Sequence, residues 1–318
     1  MNGHFIRNII LTTAMISSIS TISFPWFSKD ENTQQAFNSN YMEIDKPIKD
    51  YTNKLKSNSE DFISHRNIAG NICETENSSE SPSKIDISGL CNDKISWWFK
   101  PNKAHTTPEI NLKLNFNLID YDAHYVGDTS RQVLYLTFDE GYENGYTAKI
   151  LDILKENEVK AMFFVTSPYL KSNPDLIKRM VDEGHIVGNH TNHHPSMPTV
   201  CGSEEKFLSE FTDVENKYKE ITGEDMPKFF RPPMGEYSQK SLAMTKNLGY
   251  KTVFWSFAYM DWDINKQPDP VKAKETILNG LHNGSIMLIH AVSKTNTEIL
   301  DSILKEAKTQ GYEFELLP

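Results

Sequence analysis

From residue 130 onward, short apolar runs alternate with longer segments of helical period, and few architectures accommodate that alternation. Strands are expected at 133–138, 160–165, 186–189, 228–230, 251–256, 285–289 and 312–316. Helical runs lie between them at 145–157, 174–183, 203–222, 238–248, 270–283 and 296–309. Strands that alternate with helices imply β-α-β units and a parallel sheet. Seven strands, against the eight of a regular barrel, predict an α/β fold built as an incomplete or distorted (β/α) barrel.

In such a barrel the functional residues collect at the C-terminal ends of the strands. The stretch LYLTFDEGYENGYT, residues 134–147, is the most informative of these ends, because an apolar strand stops at the adjacent carboxylates Asp139 and Glu140. Three later segments share this build: IVGNHTNHHP around His190, FFRPPMG around Arg231, and IMLIHA around His290. Asp139, His190, Arg231, Asp261 and His290 are therefore expected on five separate strand ends, around one mouth.

Composition narrows the partners. A formal net charge of −10 and no stripe of Lys and Arg argue against nucleic acid, since phosphate binding needs clustered cations. Cys73, Cys91 and Cys201 lie far apart without C-x-x-C spacing, which suggests neither a thiolate metal site nor a disulfide framework. Arg7 precedes an apolar, Ser/Thr-diluted and uncharged stretch, so residues 1–27 read as a signal peptide or an uncleaved membrane anchor, and either exports the chain. Residues 28–93 are rich in Ser, Asn, Lys, Asp and Glu without an apolar period and read as a flexible tether. The domain is expected over 94–318, its first part, 94–129, packing on the barrel through Trp97, Trp98 and Phe99. No stretch of the sequence names a protein partner.

The residues at the strand ends suggest a hydrolytic site. His190 and His194 sit four apart beyond a strand, and with a carboxylate from elsewhere they suit zinc or a similar divalent ion. His193 is expected to face away, and His185 to be a hydrogen-bonded structural histidine. Hydrolysis needs a base for the water and a protonated group for the leaving atom, and Asp139 and His290 suit those tasks. Arg231 would hold the carboxylate ionised and Asp261 would orient the histidine. Spacing alone serves equally well for a structural ion pair between Arg231 and Asp261.

Five motifs stand in order: TFDEG at 137–141, HTNHHP at 190–195, RPPMG at 231–235, DW at 261–262 and LIH at 288–290. Over about residues 130–318 they resemble the polysaccharide deacetylase family, metal-dependent carbohydrate esterases with the NodB-type homology domain. The resemblance implies that Asp139 is the general base, His290 the general acid, and Arg231 and Asp261 their partners. It makes His190 and His194 metal ligands, places Trp262 and Leu288 around an acetyl methyl, and sets the Met234 N–H against the oxyanion. Glu140 occupies the position of the family's third metal ligand, an Asp, and is longer by one methylene. Ala258 replaces the first acid of the D-x-x-D-W pattern, and Met234 replaces a frequent Tyr.

With GYENGYT and the preceding YVGDTS, these departures resemble the branch of muramic acid deacetylases of spore-forming bacteria, which act on peptidoglycan and lead to the muramic δ-lactam of spore cortex. The resemblance thus implies removal of the N-acetyl group of N-acetylmuramic acid, with substrate choice set by loops such as 142–146 that carry Tyr142. Three rivals are an N-acetylglucosamine deacetylase, a glycosidase using Asp139 and Glu140, and a wall-binding module without catalysis. Glycosidase carboxylates must flank a bond ~5 to 9.5 Å apart, whereas adjacent residues beyond a strand diverge. A binding module has no need of a base and an acid in register.

Overall fold

The computed structural model describes residues 84–110 and 114–318. At its centre lies β5 (Val133–Glu140), buried along its whole length. A strand covered on both faces reads as a continuous apolar run rather than an alternating one, and VLYLTF is such a run. On one side β5 pairs in parallel with β11 (Ser285–His290). On the other it pairs with β6 (Met162–Val165), followed by β7 (Ile186–Asn189), β8 (Phe229–Phe230), β10 (Lys251–Val253) and β4 (Ala123–His124). β12 (Glu313–Phe314) takes up the N-terminal end of β5, where β6 does not reach. Every pairing in this eight-stranded sheet is parallel.

The sheet curls back on itself beyond β10. Ser256 N–H donates to the Ile286 carbonyl at 3.0 Å and Leu288 N–H to the Phe257 carbonyl at 2.8 Å, with a parallel bridge between Phe257 and Met287. An irregular seam therefore joins the continuation of β10 to β11, and the result is a distorted (β/α) barrel. All seven expected strands lie in this sheet, four of them shorter than expected. Beyond Val253 the chain keeps hydrogen bonds to β11 but not a ladder, which ends β10 three residues early.

The helices are α1 (Thr147–Glu156), α2 (Ser167–Ser172), α3 (Pro174–Asp182), α4 (Met197–Val200), α5 (Glu204–Thr222), α6 (Gln239–Asn247), α7 (Pro270–Gly280) and α8 (Lys294–Thr309). The N-termini of α2 and of α5 to α8 follow ordinary capping chemistry. Ser203 Oγ accepts from the Lys206 N–H to start α5, and Gly223, at φ 80°, closes it. Ser238 and Ser241 form a reciprocal capping box at α6. α8 turns Ile299, Leu300, Ile303, Leu304 and Ala307 into the main core. The six long helices match their expected positions; α2, α4 and two-residue β4 are too short to leave a period in the sequence.

The N-terminal boundary moves. Composition assigns residues 84–93 to the tether, yet Ile85, Ile87 and Leu90 pack on a cluster containing Trp97, Tyr121, Tyr237 and Phe254. Asn247 exchanges two hydrogen bonds of 2.8 Å with the Ile85 backbone, and Lys240 N–H donates to the Cys91 carbonyl at 3.0 Å. Only three apolar side chains anchor this segment, too few to stand out among its polar neighbours. Trp97 stacks on Phe254 with ring centroids 4.4 Å apart and donates its indole N–H to the Trp255 carbonyl at 2.9 Å, while Trp98 stays 52% exposed. Two small antiparallel pairs complete the extension: β1 (Ile95–Ser96) with β9 (Glu236–Tyr237), and β2 (Phe99–Lys100) with β3 (Glu109–Ile110). The leader expected at 1–27 and the part of the expected tether up to residue 83 lie outside the described residues.

One glycine controls the entry to β11. Gly284, at φ +72°, donates to the Val133 carbonyl at 2.9 Å and accepts from Gly127 N–H at 2.8 Å. A Cβ there would meet the backbone of Asp128 and Thr129 at 2.9 Å. Gly284→Ala should therefore lower stability by about 2 to 4 kcal/mol, read as a lower urea midpoint at constant m. An unchanged midpoint would show that these backbones are not held together at this point.

Candidate active site

Parallel register brings the two reactive groups together. Asp139 on β5 pairs with His290 on β11, so their side chains leave the sheet on the same face, one strand spacing apart. Leu288, two residues before His290, shares that face. His190 directly follows β7 and Arg231 directly follows β8. Asp261 departs from expectation: it sits in the 258–267 loop, eight residues beyond the end of β10, rather than on a strand end.

Arg231 is fully buried and donates through Nη1 to Asp139 Oδ1 at 2.7 Å. Its other donors meet the Val253 carbonyl at 3.0 Å and the Phe254 carbonyl at 3.4 Å, and the guanidinium lies 4.3 Å from the Phe164 ring centroid. Burial opposes the charge on Asp139, but Arg231 above all, with His290, outweighs it and holds the carboxyl below the usual carboxylate range.

Asp261 contacts His290 twice, accepting from the ring Nδ1 at 2.7 Å and from the backbone N–H at 2.8 Å. Burial alone would discharge the imidazole; the Asp261 carboxylate reverses this and raises His290 above its ordinary range. Arg231 thus pairs with Asp139 and Asp261 with His290, so the alternative of an Arg231–Asp261 ion pair is not realised. The two couples are shifted in opposite directions, as an ionised base and a protonated acid require.

The His190 and His194 rings lie 4.8 Å apart, inclined at 75°. His190 Nδ1 donates to the Arg231 carbonyl at 2.8 Å, which leaves its Nε2 as the bare nitrogen, 3.7 Å from Asp139 Oδ2. Burial lowers the pKa of both imidazoles, that of His194 to about 3, so both are neutral donors suited to a metal ion. Asn189 organises this turn: its Oδ1 accepts from Thr191 N–H at 2.8 Å, and its Nδ2 donates to Phe211 O and Tyr250 Oη at 3.2 Å each. Thr191 and His194 hold left-handed backbones at φ 72° and 57°, as does Met234 at φ 58°. Such conformations in non-glycine residues persist where the surroundings enforce them, and they cluster at functional sites.

Glu140 does not join the imidazoles. Next to Asp139 on a strand, it projects from the opposite face. Its carboxyl is fully buried, both oxygens lack a hydrogen-bond partner, and burial together with Glu143 and Asp139 pushes its pKa well above the usual range. Among the described residues, no three His, Cys, Asp or Glu side chains are grouped to hold a metal ion. The two imidazoles fit such an ion, whereas the expected third ligand does not.

Around the mouth, Trp262 meets the His290 ring edge-on with centroids 5.8 Å apart, and Leu288 is buried. Met234 is 37% and Tyr142 49% exposed, and partial burial together with the nearby Asp263 carboxylate raises the Tyr142 hydroxyl above its ordinary range. His193 is exposed as expected and bonds Glu210 at 2.9 Å. His185 accepts from the Ala161 N–H at 3.1 Å and stays neutral, lowered by burial to about 4, which is the expected structural role. Sequence reasoning missed Asn189 and Asn296, both buried; the signal available was an amide in an otherwise core-facing position.

The sequence profile of the polysaccharide deacetylase family matches residues 126–253. The peptidoglycan-N-acetylmuramic acid deacetylase PdaA of Bacillus subtilis is 45% identical over 224 residues, which cover 70% of this chain and 84% of PdaA. A peptidoglycan-N-acetylglucosamine deacetylase of Bacillus cereus is 32% identical over 242 residues, 74% of this chain and 80% of that one. The solved structure of Bacillus subtilis PdaA, described as a family 4 carbohydrate esterase, superposes with a TM-score of 0.69 at 44% identity, covering 71% of this chain and 96% of that one. Esterases of this family are in general metal-dependent. The chain belongs to the polysaccharide deacetylase family, the family 4 carbohydrate esterases.

Proposed function

We propose that this enzyme hydrolyses the N-acetyl group of N-acetylmuramic acid in peptidoglycan. The observation that carries the reading is the in-register placement of an ionised Asp139 beside a protonated His290, each fixed by its own partner. The 45% identity to a muramic acid deacetylase selects the sugar.

Asp139 accepts a proton from water as the water attacks the acetyl carbonyl. The Met234 backbone N–H faces the oxyanion, while Trp262 and Leu288 surround the acetyl methyl. His290 then gives its proton to the amine nitrogen as the C–N bond breaks, releasing acetate and the free amino sugar. His190 and His194 would hold a divalent ion, for which we assign zinc from the two neutral imidazoles. When bound, such an ion supplies Lewis acidity and lowers the pKa of water to about 7. The freed amine stands beside the lactyl carboxyl of the same sugar, which fits a path to the muramic δ-lactam of spore cortex. The uncharged stretch after Arg7 supports export, with the enzyme tethered or released outside the membrane where peptidoglycan lies.

Mass spectrometry of muropeptides after incubation of the full chain with peptidoglycan should show loss of an acetyl group from muramic acid. Loss from N-acetylglucosamine oligomers instead would establish the glucosamine reading, for which the 32% identical relative speaks.

The pH dependence follows from the His290 couple. A raised folded-state pKa keeps the acid protonated as pH climbs, so kcat/KM should fall only above about 6.5, the ordinary imidazole value. A descending limb at or below that value would contradict the Asp261 pairing. Elemental analysis provides a readout independent of turnover: His190→Ala should lose most of the bound metal, and an unchanged stoichiometry would remove His190 from the ligand set.

A further inference from the structure

Asp261 has no backbone ladder to hold it, because it lies in a loop; what holds it is the first turn of α8. Its carboxylate accepts from the His290 ring at 2.7 Å, from the His290 N–H at 2.8 Å, and from Asn296 Nδ2 at 2.6 Å. The same Nδ2 donates to the His290 carbonyl at 3.0 Å, and Asn296 Oδ1 accepts from the Tyr259 hydroxyl. One amide therefore grips two residues of the loop, Asp261 and Tyr259, and the strand end at His290, at a position with 1% exposure. A second tie runs alongside it: Gln267 donates to the Asp263 carbonyl at 2.9 Å and accepts from Ser293 Oγ at 2.7 Å.

Capping α8 does not require the Asn296 side chain. Ser293 Oγ serves that purpose by accepting the Asn296 backbone N–H at 3.1 Å. The amide is directed instead at the acid couple, and the chemistry calls for an amide there. A carboxylate would repel Asp261, an aliphatic side chain would leave its Oδ2 with only the His290 N–H, and a hydroxyl has a single donor, whereas an amide supplies donors to both Asp261 and the His290 carbonyl with an acceptor for Tyr259.

We propose that Asn296, backed by Tyr259, is the positioning residue that sets the Asp261 carboxylate against the His290 ring. The kinetic consequence rests on the reading of His290 as general acid; the geometric one does not.

Two variants test the proposal in the full chain, Asn296→Ala and Tyr259→Phe, with two readouts. In turnover on peptidoglycan, Asn296→Ala should lower kcat by ~10- to 100-fold with KM little changed, since the substrate is not touched. In proton–nitrogen NMR without substrate, the hydrogen-bonded Nδ1 proton of His290 should shift upfield or broaden away. Tyr259→Phe should move both readouts in the same direction by less, and it carries the test if Asn296→Ala does not fold. A ring-proton resonance unchanged from the parent chain in the folded variants would overturn the proposal, as would a loss expressed wholly in KM. If the parent chain leaves peptidoglycan untouched, the reaction reading fails, and the ring proton alone decides whether Asn296 positions the couple.

Discussion

The buried ion pair between Arg231 and Asp139 is the interaction on which the site depends. Removing a guanidinium from water costs several kcal/mol, and the cost is offset only where every donor finds a partner. Here each of the three guanidinium nitrogens has an acceptor: a carboxylate on β5 and two carbonyls at the end of β10, with the face of Phe164 on β6 alongside, meet one side chain that follows β8. The pair thereby ties four strands together at the C-terminal end of the barrel. It also reaches the neighbouring imidazole, because the Arg231 carbonyl accepts from His190 Nδ1 and so selects which nitrogen faces Asp139. Replacing the Arg231 side chain would leave a buried carboxylate unpaired, while the backbone carbonyl that sets the His190 tautomer would stay in place.

A second couple works in the opposite sense. Around Asp139, positive neighbours favour the ionised form; around His290, the Asp261 carboxylate favours the protonated form. Two groups on adjacent strands, driven to opposite charge states by separate partners, are what amide hydrolysis asks of a base and an acid. The imidazole pair completes the site with neutral donors. Glu140 stands apart as a buried acid turned toward Glu143 and Thr147 at the start of α1, where one residue of strand alternation separates it from Asp139.

Most of the barrel was legible because β5, β6 and β11 are buried on both faces and α5 to α8 begin at Ser or Asp caps in ordinary ways. Asp139, His190, Arg231 and His290 were legible as reactive residues at the ends of apolar runs. What escaped was set by contacts distant in sequence. Asp261 was expected on a strand, but the ladder of β10 stops at Val253 and the chain reaches the acid through a loop. Asn189 and Asn296 look like ordinary polar residues until the fold surrounds them. The packing of Ile85, Ile87 and Leu90 was obscured because several of their partners, Asn247, Tyr237 and Phe254 among them, lie more than 100 positions away. The resemblance set Glu140 in the position of a third ligand, whereas strand alternation sends the two carboxylates to opposite faces.

The most direct test of the account is the deacetylation rate of Asp139→Asn, measured beside its near-ultraviolet circular dichroism. The substitution preserves shape and a hydrogen-bond acceptor for Arg231 while removing the base. The account predicts a native spectrum with a rate reduced by about 10²- to 10⁴-fold. A folded variant whose rate stays within a few-fold of the parent would show that another group takes the proton from water.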